Sequence, residues 1–509
     1  MIDETITTAK EYHWATKHIR HRIKPHYLDF KNYPDQVKSY DFVKKIDLTK
    51  DLSNVDVDLN SIFIQPQSDQ DEEVSGKQFR LTTLSEILLL AYGVSRTGYA
   101  NGAPFYFRTV PSAGGLYPCH LYLAVRCMDG LEPGIYYCDL IKGFLGLIQR
   151  GEHPVQGKNE PSFSLIITGE FFNSSWKYRK RAFRYILLDS GHLIENVSLA
   201  VKALGRFFSI DYDFDDEKVS RFLSLNNTKE VPLACVNVGQ DKHILKNLIE
   251  TGPDLIGPRA EEKKRLSTAT SYPLLQKIYD LSKAVSQGHS IDSQNIKVVT
   301  VKPQKTINLS DLKADFKADI KDQAVKINYR DTVIRRRSKR NFIPKELDMN
   351  KAIALIRLAS SLFGAQTDQA GKVDPYLALG ISCRNVSGLD DGFYLFSRDR
   401  LSLLLINKGQ FQDNLSQVCL DQRWIANAAL NFLFMANLAR LEKNFGPRGY
   451  RHLLMQSGGI AQRIYLAATG MDLGCCGVGA LYDEEAQSLF DLNEESALFY
   501  VVSTGPVKK

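Results

Sequence analysis

Apolar residues recur at two different periods along this 509-residue chain, and the two periods alternate twice. From Leu81 the spacing is helical through Leu84, Ile87, Leu88 and Ala91, ending near Gly93. Continuous apolar runs at His120–Arg126 and Phe163–Thr168 read as strands. Between them, Gly130-Leu-Glu-Pro-Gly is a turn that feeds a further strand, Ile135–Cys138. Helical spacing returns over Phe183–Leu204 in Ile186, Leu187, Ile194, Val197, Leu199 and Val201. Val231–Val238 closes the unit as a strand. Residues 1–80 are polar, spotted with aromatics and nearly aperiodic. Residues 251–328 are rich in Lys, Asp, Ser and Gln, include Pro253, Pro258, Pro273 and Pro303, and predict one amphipathic helix near Leu274–Val285.

The order then repeats, with a helix over 350–363 before an apolar strand at Tyr376–Ser382. Val386-Ser-Gly-Leu-Asp-Asp-Gly-Phe-Tyr-Leu-Phe396 echoes Met128-Asp-Gly-Leu-Glu-Pro-Gly-Ile-Tyr-Tyr-Cys138. Arg448-Gly-Tyr-Arg-His-Leu-Leu-Met-Gln-Ser-Gly458 echoes Arg181-Ala-Phe-Arg-Tyr-Ile-Leu-Leu-Asp-Ser-Gly191. Two echoes in the same order and at comparable spacing imply an internal duplication. The expected organisation is an N-terminal extension over 1–80, a first domain over 81–250, a polar linker over 251–328 and a second domain over 329–509. The two copies are expected to pack as a pseudo-dimer.

Composition narrows the function classes. Hydrophobic content of 44% and charged content of 24% are globular averages, and a net charge of +7 is mild for this length. Basic residues cluster only locally, at Lys177–Arg184 and Arg335–Arg340, and not in the long stripe of a nucleic-acid binder. No run of eighteen apolar residues predicts a membrane span, and the N-terminus lacks the pattern of a secretory signal. Eight cysteines without a CxxC pair argue against zinc and against a thioredoxin-type site, so no metal is expected. Reduced, mostly buried thiols in a cytoplasmic protein are the expectation.

Two motifs carry candidate chemistry. In an extended segment, Arg336, Ser338 and Arg340 would share one face, two guanidiniums and a hydroxyl suited to a phosphate. An exposed basic stretch before a helix is the plain alternative. In Pro111-Ser-Ala-Gly-Gly-Leu-Tyr-Pro118, the residues Pro111, Ser112, Ala113, Gly114 and Gly115 form a stiff loop. Its main chain can approach a flat ring closely; an ordinary Gly-rich turn is the alternative. Neither copy holds both elements: the stretch around Lys372–Tyr376 lacks the loop and that around Ser61–Gln65 lacks the cations. Such complementary loss suits one phosphate-bearing cofactor between two copies.

Together with Tyr12-His-Trp-Ala-Thr-Lys-His18, Leu28-Asp-Phe30, Lys38-Ser-Tyr40 and Trp176-Lys-Tyr178, these elements resemble the SagB/ThcOx-type dehydrogenases, a branch of the FMN-dependent nitroreductase-like fold. The resemblance covers the chain outside the linker. It implies an α+β fold of two tandem nitroreductase-like domains, antiparallel or mixed sheets flanked by helices, packed as a pseudo-dimer. It also implies FMN, with its phosphate at Arg336, Ser338 and Arg340. The ring would meet the Pro111–Gly115 loop and the late loop Gly470–Gly479, here Gly474 and Gly477, and the terminal Lys508 would add charge, although a frayed tail explains Lys508 as well. Relatives acting on ribosomal peptides oxidise thiazolines and oxazolines, and their Lys-Tyr pair matches Lys177 and Tyr178. The second copy has Asn444 and Phe445 instead, so one competent site is expected.

Aromatising an azoline removes a ring proton and passes a hydride to flavin, so a base beside the ring is needed. Lys177 qualifies if desolvation or its neighbours Arg179, Lys180 and Arg181 lower its pKa; a surface lysine at a helix start is the alternative. His120 and His192 read as core histidines, Asp189 and Glu195 as solvated or capping groups, and Cys475-Cys476 as packing. The leading expectation is an azoline dehydrogenase whose substrate is a peptide or a related heterocycle. It would work alone or with a cyclodehydratase in a modification complex, without nucleic acid or membrane partners, and with further homodimerisation left open. A nitroreductase for free small molecules, or a non-catalytic flavoprotein scaffold, stays as the alternative.

Overall fold

The computed structural model describes residues 5–23, 26–48, 57–64, 79–100, 103–151, 162–239, 241, 243–250, 255–256, 259–263, 270–283, 298–309, 327–360, 376–398 and 400–508. The expectations placed on Gln65, Pro253, Pro258, Val285, 361–363 and 372–375 lie outside them.

Two antiparallel sheets carry the fold, and they repeat one strand order. The first runs Lys44–Asp47, Phe144–Gly151, Gly134–Asp139, Cys119–Cys127, Ser162–Glu170, Glu230–Val238, Phe208–Asp211. The second runs Lys305–Asn308, Ser402–Lys408, Gly392–Ser397, Leu377–Cys383, Leu430–Asn437, Ser496–Gly505, Gly474–Val478. Leu255–Ile256 adds a short strand beside Phe144–Gly151. Each sheet takes its edge strand from the polar segment that precedes it, Lys44–Asp47 from the extension and Lys305–Asn308 from the stretch between the copies. The central strands Cys119–Cys127 and Ser162–Glu170 are buried on both faces for most of their length. That is why they read as continuous apolar runs.

The echoes fall on equivalent elements. Met128–Leu131 and Val386–Leu389 each close an antiparallel bridge. The strand after each begins at a glycine whose missing Cβ leaves room for a carbonyl: the Gln149 oxygen would lie 2.4 Å from a Cβ at Gly134, the Asn407 oxygen 2.8 Å from one at Gly392. The second echo opens the two central helices, Ala182–Ala203 and Arg448–Gly470, which are buried almost all round and cross each other. At the crossing, a Cβ on Gly191 would sit 1.9 Å from the Met455 carbonyl oxygen and one on Gly458 2.1 Å from that of Leu188. Gly191 with Gly458, and Leu188 with Met455, hold the same places in the echo. Each copy therefore offers its partner the same surface, as in a two-fold homodimer. The fold is α+β, two tandem copies of one sheet-and-helix domain packed as a pseudo-dimer.

Polar groups fasten the crossing. Arg463 pairs with Glu195 at 2.5 Å, so Glu195 is an interface ion-pair partner and neither solvates nor caps. Asp216 of the first copy takes Arg448 at 2.9 Å and Arg451 at 2.5 Å from the second. The N-terminal helix Ala9–Ala15, started by a Thr8–Glu11 capping box, lies across both copies: the Ala9 amide donates to Glu442 and the Tyr12 hydroxyl to the Lys180 carbonyl.

A two-stranded ribbon, Val94–Ala100 with Ala103–Arg108, stands between the first helix and the small-residue loop. The sequence pattern did not predict it. The eight cysteines are all free thiols. Among the described residues, no helix is long and apolar enough to cross a membrane, and no group of three or more His, Cys, Asp or Glu could hold a metal ion.

Candidate active site between the two halves

The loop after the ribbon is shaped by backbone that only small residues tolerate. Ser112 is extended, Ala113–Gly115 make a single tight turn, and Gly114 and Gly115 have φ of 66° and 68°. At Gly114 a Cβ would meet the Tyr178 hydroxyl at 3.0 Å and Lys177 Cδ at 3.3 Å. Glycine thus serves twice, supplying the left-handed φ and letting the Lys-Tyr pair close on the loop. The Ser112 hydroxyl donates to Asp189 at 2.5 Å and accepts the Tyr117 amide at 2.9 Å, while the Ala113 amide donates to Asp189 at 3.1 Å.

The second half reaches this loop through the segment after its helix Tyr329–Arg335. Arg336 donates to the carbonyls of Thr109 and Arg108, both at 2.9 Å, and Arg337 to that of Ser95 at 3.1 Å. Ser338 and Tyr465 share a hydrogen bond of 3.1 Å between their hydroxyls, and Tyr465 accepts the Gly477 amide at 2.6 Å. Arg340 lies over Trp424, 5.7 Å from its ring centre. Tyr465 therefore couples the cationic segment to the late glycine strand.

These elements enclose one cleft of about 130 Å³, lined from the first half by Pro111, Ser112, Ala113, Gly114, Tyr178, Tyr185, Leu188, Asp189 and His192. The second half supplies Ser338, Arg340, Gln422, Tyr465, Cys476 to Ala480, and Tyr500. Eight of the residues singled out in the sequence thus meet there: Pro111, Ser112, Ala113, Gly114, Tyr178, Ser338, Arg340 and Gly477. Lys177 packs on Gly114 beside it. The remaining four lie elsewhere. Gly115 closes on the Phe105 ring, where a Cβ would come within 2.8 Å, and Gly474 is capped by Val507 and Phe342. Arg336 is 3% exposed and spends its donors on the ribbon's base, bracing the first half's loop from the second. The alternation expected of 336, 338 and 340 fails at its first member because Arg336 still caps the preceding helix, its own amide donating to Thr332. Lys508 is exposed and pairs through its backbone with Asn341, so it is not frayed; Lys509 lies outside the described residues.

Electrostatics separates the titratable groups. Burial lowers the Lys177 pKa, and the Arg340 guanidinium from the other half lowers it further. The adjacent cations are not the cause; Arg181 turns instead to Asp483. Lys177 and Tyr178 end the helix Phe171–Tyr178, so the pair sits at a helix C-terminus and not at a start. Burial pushes the Tyr178 phenol far up, so it stays protonated. His192 is held down to about 3 by burial and is a neutral wall group between Gln462 and Tyr500, each at 3.0 Å. Asp189 is neither solvated nor a cap. It is buried, and desolvation pushes its carboxyl up to about 7 against the opposing pull of Ser112 and Ala113. Tyr465, Tyr500 and Asp189 carry no motif of their own. Only the departure of the second copy, which has Gln456 where the first has Asp189, marks the aspartate in the sequence.

Residues 275–505 match the model of the Nitroreductase family. "Putative nitroreductase MJ1384" of Methanocaldococcus jannaschii is 29% identical over 182 residues, which is 35% of this chain and 90% of that protein. The trifolitoxin-processing protein TfxB of Rhizobium leguminosarum bv. trifolii is 29% identical over 157 residues, 27% of this chain and 42% of TfxB. A solved nitroreductase-type structure from Anabaena variabilis superposes with a TM-score of 0.70 at 22% identity, covering 98% of this chain and 99% of that one, and so shares the whole tandem fold. Residues 275–505 thus match the nitroreductase family, and the chain as a whole has the tandem nitroreductase-like fold.

Proposed function

We propose that the chain is an FMN-dependent two-electron dehydrogenase that oxidises azoline rings, thiazoline or oxazoline, to azoles in a ribosomally made peptide or a related natural product. The observation that carries this reading is the seat of Lys177 and Tyr178 against Gly114, beside a cleft whose opposite wall holds Ser338 and Arg340. The donor set fits FMN. Arg340 and Ser338 are the cation and hydroxyl that a phosphate ester calls for. Gly114 and Gly477 let Tyr178 and Tyr500 close on the main chain at the cleft's two walls, one from each half. FMN, when bound, supplies a two-electron acceptor. The partial likeness to a protein named for trifolitoxin processing supports a processing role; a cyclodehydratase partner and a cytoplasmic setting belong to the same proposal.

The chain's own residues then have distinct tasks. Lys177, its pKa lowered by burial and by Arg340, is the group placed to take the ring proton once it has lost its own. Tyr178, kept protonated, donates a hydrogen bond that orients the heterocycle. Tyr178 and Tyr185, their rings 4.2 Å apart, exclude water from one side. Lys177→Ala is expected to lower kcat about 10²–10⁴-fold, the usual worth of a positioned base, while FMN content stays at one per chain. The wild-type rate should climb with pH as Lys177 loses its proton, and the variant's profile should lose that limb. Unchanged turnover in Lys177→Ala would overturn the base assignment. NAD(P)H-driven nitroarene reduction without oxidation of a heterocyclised peptide would overturn the substrate class.

A further inference from the structure

Asp189 is a buried carboxyl that the proposed reaction does not use, and it is wired to the one hydroxyl of the small-residue loop that lines the cleft. Its Oδ2 accepts the Ser112 hydroxyl at 2.5 Å and its Oδ1 the Ala113 amide at 3.1 Å. Ser112 Oγ already accepts the Tyr117 amide at 2.9 Å. A serine oxygen has one hydrogen and two lone pairs. With Asp189 ionised, the Ser112 hydrogen is committed to the carboxylate, and the second lone pair is what the hydroxyl can offer the cleft. With Asp189 protonated, its O–H donates to that second lone pair, Ala113 keeps its bond to Oδ1, and the Ser112 hydrogen is released. One proton from solvent thus turns Ser112 from acceptor to donor, and no covalent bond other than the Asp189 O–H is made.

We infer that Asp189 is a positioning residue whose protonation sets whether Ser112 accepts from, or donates to, the ligand in the cleft. The inference rests on the flavin reading for the identity of that ligand, an electron-rich ring edge that a donor favours. The surroundings allow the exchange near neutral pH. The titratable groups facing Asp189 are Tyr92 from the helix Leu81–Tyr92, Cys119 from the first half's sheet, Tyr178 from the helix before the central one, and Tyr500 from the second half's sheet. Tyr185 and His192 stand one turn away on its own helix. Burial holds Tyr92, Cys119, Tyr178, Tyr500 and His192 neutral. The cation in the cleft, Arg340, is engaged with Trp424 and Cys476. Desolvation of Asp189 is thus opposed only by Ser112 and Ala113, and its pKa rises.

The test joins two measurements, one of them free of flavin. Infrared spectra of the apoprotein between about pH 5 and pH 9 should show a protonated-carboxyl band that titrates in the wild type and is missing in Asp189→Asn. FMN binding, read by fluorescence quenching at about pH 6 and pH 8, should weaken with rising pH about three- to tenfold more in the wild type than in Asp189→Asn, the worth of one hydrogen bond. Ionisation of the FMN phosphate is common to both proteins and cancels in that comparison. Ser112→Ala, which keeps the carboxyl, should retain the infrared titration and lose the extra pH dependence. This covers the case of an Asp189 variant that fails to fold. Absence of a titrating band, or identical binding profiles in wild type and Ser112→Ala, overturns the role of Asp189. A wild type that binds no FMN at any pH overturns the flavin reading instead and leaves the infrared result to decide for Asp189.

Discussion

Gly458→Ala is expected to cost the protein about 3–5 kcal/mol, the far end of what overpacking does, and to abolish cooperative unfolding of the two halves together. The new methyl would lie 2.1 Å from the Leu188 carbonyl oxygen and 3.0 Å from Gly191 Cα. Both obstacles are backbone, so no side chain can swing aside. The helices cannot slide either, since each is buried almost all round and braced by Glu195–Arg463 and by Asp216 with Arg448 and Arg451. They must separate, and the cleft that spans them opens. Gly191→Ala should do the same by the pseudo-symmetric contact with Met455. Gly98→Ala, on the ribbon, where a Cβ would meet the Phe107 ring at 3.4 Å and the Phe105 carbonyl oxygen at 3.9 Å, should cost less than about 1 kcal/mol. Calorimetry on the three variants checks this: equal, small losses would show that the crossing is not the brace of the fold.

Asp483→Ala is expected to be nearly as damaging, about 3–5 kcal/mol in chemical denaturation. Its carboxylate takes Arg181 at 2.9 Å and Arg184 at 3.0 Å, both guanidiniums being about 2% exposed, and the His18 amide at 2.8 Å. Arg184 also holds Thr16 Oγ1 and the His13 carbonyl of the N-terminal segment. Removing Asp483 leaves two cations buried without a counter-charge, a larger penalty than the pair itself was worth. The pH sign follows from the same contacts. The arginines hold the Asp483 carboxyl well below its ordinary value, so its stabilisation is present above the unfolded pKa near 4 and is lost as the pH falls through the folded one. Wild type should therefore lose stability in acid faster than Asp483→Ala, and parallel curves would contradict the ion-pair account.

Much of this architecture can be read from the chain because burial on all sides leaves no ambiguity of pattern. The central helix pair is rich in apolar and small residues, and both echoes fall on matching turns and helices. The edge strands Lys44–Asp47 and Lys305–Asn308 could not be read this way. Their sequences, Lys-Lys-Ile-Asp and Lys-Thr-Ile-Asn, are polar because one side faces solvent, and only the partner strand makes them strands. The ribbon Val94–Arg108 escaped for a related reason: Gly98 and Pro104 interrupt its alternation, and it packs on a loop instead of a sheet face. Among the candidate site residues, the motifs picked out Ser112, Gly114, Ser338 and Arg340, which the fold brings to one cleft. They misplaced Arg336, whose direction is set by the helix it ends, and passed over Asp189, whose character comes from desolvation that no linear spacing records.

The central claim is that the two unlike halves jointly hold a single FMN. The most direct measurement is a titration of the apoprotein with FMN, followed by fluorescence quenching, in the wild type, in Gly114→Ala of the first half and in Arg340→Ala of the second. The account predicts one FMN per chain in the wild type and affinity at least about tenfold weaker in each variant, through a lost charged hydrogen bond in Arg340→Ala and through a methyl forced against Tyr178 and Lys177 at a left-handed φ in Gly114→Ala. Two FMN per chain, none, or wild-type affinity in either variant would contradict it.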